Sequence, residues 1–471
     1  MSRTGYRRLV AVALVAGIGL TGAACSNSKG GNSGGNSGGG KADKASASTP
    51  LDPKTKVTIS VDCEPPVTKK AERKEWTEDV AAFNKIYPNV TIKSIDTYPC
   101  EDTDKFTAQL QGKTEANVFY SYVTDLNQVL DAGQAADITP YVTATSVPNL
   151  PNIDKGALDI LTDSGKLYGL PTTNYSMGLI YNRKIFQEAG LDPNSPPTTW
   201  DQVRQDAKTI QDKLGSKGIH GFFEYGAGNQ GGWHLTSALY GEGNSVVSAD
   251  GTKATFNSPE AKQILQTIHD MRWVDHSTPD SPGKAWGESQ KAMGAGQIGM
   301  YLAAPDDITL MVQQYGGNYE DLGMGPIPGE KTSLSGGNDY FFKSSDTPDQ
   351  IKAGIAWLNF KFLTNGKGQF DYARTKADGL PVGLPQPFFF TGPAKATDTA
   401  DKTKYATVPV QNFTSYVDAQ VPVKGEPPNA QKLYTVLDTV MSGVLTNKNA
   451  NIDKLLSTAE GQANQLLAAG Q

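Results

Sequence analysis

The clearest rhythm of apolar and polar positions runs from Tyr168 to Ile210. Leu179 to Tyr181 is a short apolar run that fits a buried strand, and Arg183 to Ala189 predicts a short helix stopped by Gly190. Pro196-Pro197 forces an extended entry to the next helix. There Thr199, with Gln202 three residues on, forms a capping box, and Val203, Ala207 and Ile210 supply an apolar face. A strand and two helices bracketed in this way make a unit of an α/β protein.

The rest of the chain extends the pattern. Val57, Ile59 and Val61 alternate with Thr58 and Ser60, a strand with one buried face. Trp76, Val80, Phe83 and Tyr87 follow at helical spacing until Pro88, and Val90 and Ile92 begin a second strand. Strand, helix, strand predicts two parallel neighbours joined by a right-handed crossover. Phe119 to Asp125 reads as a third strand-to-helix junction, with Thr124 or Asp125 able to cap Leu126 to Leu130, and Gly221-Phe222-Phe223 as a further strand. Gly226 to Gly232 reads as a loop delivering Trp233. Ser258-Pro259-Glu260 opens a helix whose buried face is Ala261, Ile264, Leu265 and Ile268. Ser335 to Phe342 reads as a glycine turn and a strand, and Thr347 with Gln350 caps a helix carrying Ile351, Ile355, Leu358 and Phe362. Helices from about Ala430 to Val444 and Ile452 to Ala468 end the chain.

The order of residues between Tyr168 and Trp200 resembles the bacterial extracellular solute-binding proteins that feed carbohydrate ABC importers. The elements are Tyr168, Gly169 and Pro171, then Tyr181, Asn182 and Phe186, then Ala189-Gly190-Leu191, and last Pro197, Thr199 and Trp200. A weaker resemblance lies in Gly296 to Asp306, where Gly299 stands for the family's alanine and Asp306 for its tryptophan. The resemblance implies an α/β fold of two lobes, each a mainly parallel sheet flanked by helices, joined by three hinge crossings. Those crossings fall near Tyr168, at Gly323 to Gly329 and at Gly379 to Val382. The expected division is residues 55–172 plus 327–380 for the first lobe and 173–326 plus 381–471 for the second.

The resemblance also nominates a site. Tyr122 and Asp125 are expected to meet the ligand from the first lobe, and Asn229, Gln230 and Trp233 from the second. Glu64 stands near the edge where open α/β sheets bind ligands. Sugar recognition needs flat aromatic faces against C–H groups and polar side chains against hydroxyls. Tyr175, Trp286 and Tyr340, with Asn174, Asp306, Asn338 and Asp339, complete that mixture.

The first 24 residues hold Arg3, Arg7 and Arg8, an apolar run from Leu9 to Leu20 and a small-residue end before Cys25, which describes an export signal. Its removal takes the net charge from −6 to −9, so a phosphate backbone would be repelled and nucleic acid is no partner. Cys25 at the cleavage point is the expected lipid anchor, although the usual leucine three residues earlier is Gly22 here. The remaining cysteines, Cys63 and Cys100, each follow a predicted strand and would form one bridge. Residues 25–54 form the expected leash: Ser26 to Ser48 is nearly all Ser, Gly, Asn, Lys and Ala, with a typical span of roughly 26 Å.

None of His220, His234, His269 and His276 has metal-ligand spacing, and neither a nucleophile elbow nor a phosphate loop follows a strand. The expectation is a non-enzymatic carrier without cofactor or metal, a monomer tethered outside the cell membrane. It would close on a sugar, expected to be an oligosaccharide, and hand it to permease subunits. A secreted glycoside-acting enzyme and a carrier of a non-sugar solute are the competing readings.

Overall fold

The computed structural model describes residues 47–96, 103–122, 125–386 and 389–469. Two sheets carry the fold. The larger contains β1 (Val57–Val61), β2 (Val90–Ser94), β3 (Val118–Tyr122), β4 (Gly169–Ser176), β9 (Ser333–Phe342) and β10 (Val423–Gly425). The smaller contains β5 (Gly178–Asn182), β6 (His220–Phe222), β7 (Ile298–Ala303) and β8 (Leu322–Gly325).

The alternation at β1 buries Val57, Ile59 and Val61 as read, and β1 pairs with β2 in parallel across the helix Lys70–Ile86. The sheets are mixed, not mainly parallel. β9 runs antiparallel to both β3 and β4, and in the smaller sheet only β6 and β7 are parallel while β5 is antiparallel to β7 and β8. A fully buried strand such as β5 has no alternation, so its residues suit either direction.

Beside the larger sheet lies an apolar core containing Ile59, Phe83, Val118, Trp357 and Leu358; beside the smaller lies another containing Tyr181, Val203, Leu239, Leu265 and Leu437. β4 and β9 connect them. Leu170 and Tyr340 belong to the first core, whereas Met177 and Leu334 belong to the second. Their antiparallel register joins Phe341 to Gly169 at one end and Ser335 to Ser176 at the other, so this two-stranded ribbon is the hinge.

Two local readings change. Gly336 and Gly337 lie inside β9, not in a turn. A Cβ on Gly336 would stand 2.4 Å from the Tyr175 hydroxyl and one on Gly337 2.3 Å from the Thr173 carbonyl, so these glycines admit a close neighbour. The stretch Gly323 to Gly329 is likewise not the crossing: Leu322–Gly325 is β8 of the smaller sheet, and the chain crosses along β9. Near the third expected crossing, Phe389, Phe390 and Ala394 pack in the core of the larger sheet, and the chain then returns to the smaller one at Val408.

The start of the described chain is tied down. Ala47 is 2% exposed in the first core, Leu51 packs against it, and Asn89 donates to the Asp52 carbonyl at 3.1 Å, so residues 47–54 belong to the folded body rather than the leash. Cys25, the export segment and Cys100 lie outside the described residues.

The local grammar at the second lobe's entry is confirmed. The helix Arg183–Ala189 ends on Gly190 at φ 83°, and the helix Trp200–Leu214 begins with the complete Thr199–Gln202 capping box. Thr199→Ala is expected to lower the unfolding free energy by roughly 0.5–2 kcal/mol, read from urea denaturation; an unchanged midpoint would show the box to be idle.

Candidate functional site

At the hinge, Tyr175 projects from β4 on the side opposite Asn174 and Ser176, because successive side chains of a strand alternate. Gly336 leaves room for its ring on the partner strand. Tyr175 meets Trp233 edge to face, with centroids 6.2 Å apart and planes at 72°, and its hydroxyl donates to Glu426 Oε1 at 3.2 Å.

Trp233 is held by the start of its own helix. The helix Gln230–Gly241 begins inside the expected Gly226–Gly232 loop, from Asn229 at φ 65°. Asp438, on the helix Ala430–Thr446, accepts from Asn229 N at 2.6 Å and Gly232 N at 2.9 Å, satisfying amides that a helix start leaves open. Gly231 and Gly232 permit this approach: a Cβ on Gly232 would stand 2.3 Å from the Tyr434 carbonyl. The Asn229 side chain is used in the same joint, donating to Gln431 Oε1 at 3.0 Å and accepting from Thr435 at 2.7 Å. Gln230 Oε1 is buried without a partner.

Glu426 follows β10 and faces Tyr175, Trp233 and Tyr434. Although the residue retains some exposure, its carboxyl is enclosed, and burial pushes its pKa up to about 7 against the hydrogen bonds from the aromatic groups; the Asp125 charge pushes the same way. The usual value is 4.5, so the folded protein keeps this proton to higher pH. Its stabilising contribution is full below the unfolded value and is lost as the pH rises through about 7. Asp62, also raised to about 7 chiefly by burial, acts with the same sign. Glu426→Gln should therefore gain on the parent between pH 5 and pH 8, by roughly 2–4 °C in Tm. A variant that loses ground over that range contradicts the assignment.

On the larger sheet, Asp125 holds the N-cap position of the helix Leu126–Asp131, and accepts from Ser121 Oγ at 3.3 Å rather than capping with its side chain. Ser121 stands opposite Asp339 across β3 and β9. Asp339 is 0% exposed and neither carboxylate oxygen has a hydrogen-bond partner; burial first and then the Asp125 charge raise its pKa well above the ordinary range. Tyr122, paired with Asn338 at the end of β3, is half-buried.

The structure thus gathers Tyr175, Trp233, Asp125 and Asp339 about Glu426 and the hinge. Asp306 is exposed at the start of the helix Asp307–Tyr315, and its charge reaches Tyr175. Trp286 is 53% exposed and interacts with buried Asp307 next to it. Besides Asn229, two nominated residues serve the framework. Tyr340 is 2% exposed, stacks on Phe362 and donates to the Asp62 carbonyl at 3.1 Å, so it is a core residue. Glu64 pairs with Arg73 at 3.0 Å. Asn174 faces away from Tyr175 into a cavity of about 270 Å³ behind the hinge, shared with Ser176, Ile327 and Tyr416. The Asn338 carbonyl accepts from Thr172 at 3.0 Å.

Sequence reasoning missed Glu426, Tyr434 and Asp438. Tyr434 and Asp438 do sit one turn apart on an amphipathic helix, but Glu426 follows a three-residue exposed strand and has no pattern around it. Among the described residues no three His, Cys, Asp or Glu side chains form a metal-binding group, and no helix is long and apolar enough to cross a membrane.

Two sheets, a ribbon hinge and a polar–aromatic cluster at the hinge define a solute-binding architecture. The chain belongs to the bacterial extracellular solute-binding proteins, whose family model matches residues 68–370. The sn-glycerol-3-phosphate-binding periplasmic protein of Brucella melitensis is 28% identical over 230 residues, 47% of this chain and 50% of that one. The chain spans about half the length of the curated relatives it matches. The cyclic alpha-maltosyl-1,6-maltose binding protein of Arthrobacter globiformis has the same fold, with a TM-score of 0.68, 21% identity, and coverage of 88% of this chain and 100% of that one. So has UgpB of Mycobacterium tuberculosis, solved with glycerophosphocholine, with a TM-score of 0.69, 14% identity, and coverage of 88% and 98%.

Proposed function

We propose that this protein captures a carbohydrate between its lobes and delivers it to the permease subunits of an ABC importer. The observation that carries the reading is the Tyr175–Trp233–Glu426 cluster on the hinge: ring faces for the C–H side of a sugar, carboxyl oxygens for its hydroxyls. The solved neighbour from Arthrobacter, a binder of a cyclic maltose derivative, supports a sugar. The Brucella relative named for glycerol 3-phosphate raises an anionic solute instead, but the charges of Asp125 and Asp306 would repel a phosphate.

In this reading the ligand contacts come from Tyr122, Asp125, Tyr175, Gln230, Trp233, Trp286, Asp306, Asn338, Asp339 and Glu426. The first lobe is residues 47–172 with the segment that follows the crossing along β9, and it extends past 380 to include Phe389, Phe390 and Ala394, which pack on its core. The second lobe is the remainder to the C-terminus. Cys25 carries a lipid, the glycine-rich leash holds a monomer outside the membrane, and Cys63 bridges Cys100. Supporting the bridge, Cys63 is disulfide-bonded and sits just after β1, at the end of the sheet where β2 also finishes. Intact mass of the mature protein tests both modifications. An unmodified Cys25 removes the anchor, and two free thiols remove the bridge.

The protein binds without turnover. A thermal-shift screen of mono- and oligosaccharides, with glycerol 3-phosphate as the anionic control, tests the assignment. A sugar is expected to raise Tm while remaining chemically intact. Stabilisation by glycerol 3-phosphate alone, or release of a hydrolysis product, rejects it.

A further inference from the structure

Trp286 combines an indole that is 53% exposed with a backbone fixed on either side of it. Lys284, Ala285 and Trp286 lie at the surface between buried Gly283 and buried Ser289. At the near end Gly283 N donates to the Glu224 carbonyl at 3.0 Å, and Gly226 N donates to the Gly283 carbonyl at 2.9 Å. At the far end Ser289 N donates to the Tyr225 hydroxyl at 3.2 Å, and Ser289 Oγ shares a hydrogen bond with the same hydroxyl at 2.7 Å.

A single buried side chain, Tyr225, therefore grips both ends of the loop. It is 1% exposed, a Cβ on Gly283 would stand 2.4 Å from its ring, and its hydroxyl reaches Ser289. The ring also meets His234 edge to face, with centroids 5.1 Å apart, and His234 follows Trp233 and is hydrogen-bonded to Glu224 at 2.6 Å. Beyond Ser289, Gln290 Nε2 donates to Asp307 Oδ2 at 2.8 Å, where the Tyr301 hydroxyl also donates at 2.7 Å. The start of the helix Asp307–Tyr315 is thereby joined to the same frame.

This frame brings Trp286 within reach of the hinge cluster. A Cβ on Gly228 would stand 2.5 Å from the Lys284 carbonyl oxygen and 3.7 Å from the Ala285 Cα, so the loop lies against the segment that leads into Trp233. Trp233 is one helical turn past Asn229, and Trp286 is the residue after Ala285. Their Cα atoms are thus no more than about 20 Å apart. The rings stand on separate elements of one lobe, so a ligand of several linked rings can lay its C–H faces on both. A loop clamped at both ends also presents its indole without being ordered on binding, which favours affinity.

We propose that Trp286 is the outer platform of an oligosaccharide site whose inner platform is Trp233, and that Tyr225 is the positioning residue that holds the outer platform in place. The proposal rests on the carbohydrate reading and narrows it: chain length selects the ligand, with one sugar ring seated at Trp233 and a later one on Trp286.

Isothermal titration of the mature protein at pH 7 tests this with two homologous series, glucose to maltotetraose and glucose to cellotetraose. In at least one series the tetrasaccharide is expected to bind about ten-fold or more tightly than the shortest sugar that binds. Trp286→Ala should bring that ratio toward one. Tyr225→Phe, which removes only the hydroxyl, should lower the ratio about three-fold or more, and Ser289→Ala should lower it in the same direction if the first variant folds poorly. A hydroxyl that serves stability alone would reduce Tm and weaken short and long sugars alike, and an unchanged ratio in these variants overturns the role of Tyr225. An unchanged ratio in Trp286→Ala, or equal binding at every length in the parent, overturns the outer platform while leaving the carbohydrate assignment intact. Binding of no sugar in either series overturns the platform, and with a negative thermal-shift screen the carbohydrate assignment falls too.

Discussion

Asp79→Ala is expected to lower the unfolding free energy by about 3–5 kcal/mol. Asp79 lies on the helix Lys70–Ile86 and is 1% exposed. Its Oδ2 accepts from Lys361 Nζ at 2.7 Å, and its Oδ1 accepts from the Arg374 guanidinium, so one carboxylate ties together three helices of the first lobe. Burial lowers the Lys361 pKa and the Asp79 charge opposes this; without Asp79 the ammonium would be left over the Trp76 ring, 5.0 Å from its centroid, with its strongest partner gone. Removing one member of a buried pair costs more than the pair contributes, because the survivor keeps its desolvation penalty. Urea denaturation followed by tryptophan fluorescence reads the loss, since Trp76 and Trp357 share this core. A change below about 1 kcal/mol would mean that water or a rearranged side chain replaces the carboxylate.

Trp233→Ala is expected to weaken sugar binding about 30-fold or more while leaving the fold in place. The indole packs against the second core and meets Tyr175 at the hinge, where a buried aromatic anchor commonly contributes 2 kcal/mol or more to affinity. The helix start that carries it is secured independently by Asp438, so truncating the side chain does not release the backbone. Titration calorimetry on the parent's sugar ligand measures the loss, and circular dichroism confirms the fold. Unchanged affinity would place the ligand elsewhere and leave Trp233 as packing.

The difference between what the sequence disclosed and what it concealed follows the range of the interaction. The Thr199–Gln202 box, the Gly190 stop and the Thr347–Gln350 box are settled within four residues, and each stands as read. The β1 and β2 pairing was legible because alternation and a single intervening helix leave few ways to connect them. The Gly336-Gly337 pair misled because glycine serves turns and close approaches alike; only the partner strand, about 160 residues earlier in the chain, shows that Tyr175 needs the space. Strand direction was hidden for a similar reason, since β5 is buried on both faces.

The site divides in the same way. Tyr175 was legible as an aromatic residue in the segment that carries the family resemblance, and Trp233 and Asp125 as the aromatic and acidic residues that the resemblance nominates at two other junctions. Glu426 was not, because its role is set by Tyr175 and Trp233, which are distant in the chain, and its own surroundings are an exposed strand end and Pro427-Pro428. Asp339 was legible as a candidate, but its burial without a partner was not. Tyr340, beside it on the same strand, points to the opposite face and became core.

Closure about the β4–β9 ribbon is the motion on which the account depends, and small-angle X-ray scattering measures it most directly. With the sugar that raises Tm most, the radius of gyration of the mature protein should fall on saturation and the scattering profile should shift from an open to a more compact two-lobed particle. Tight binding of that sugar with no change in the radius of gyration would contradict capture by hinged closure.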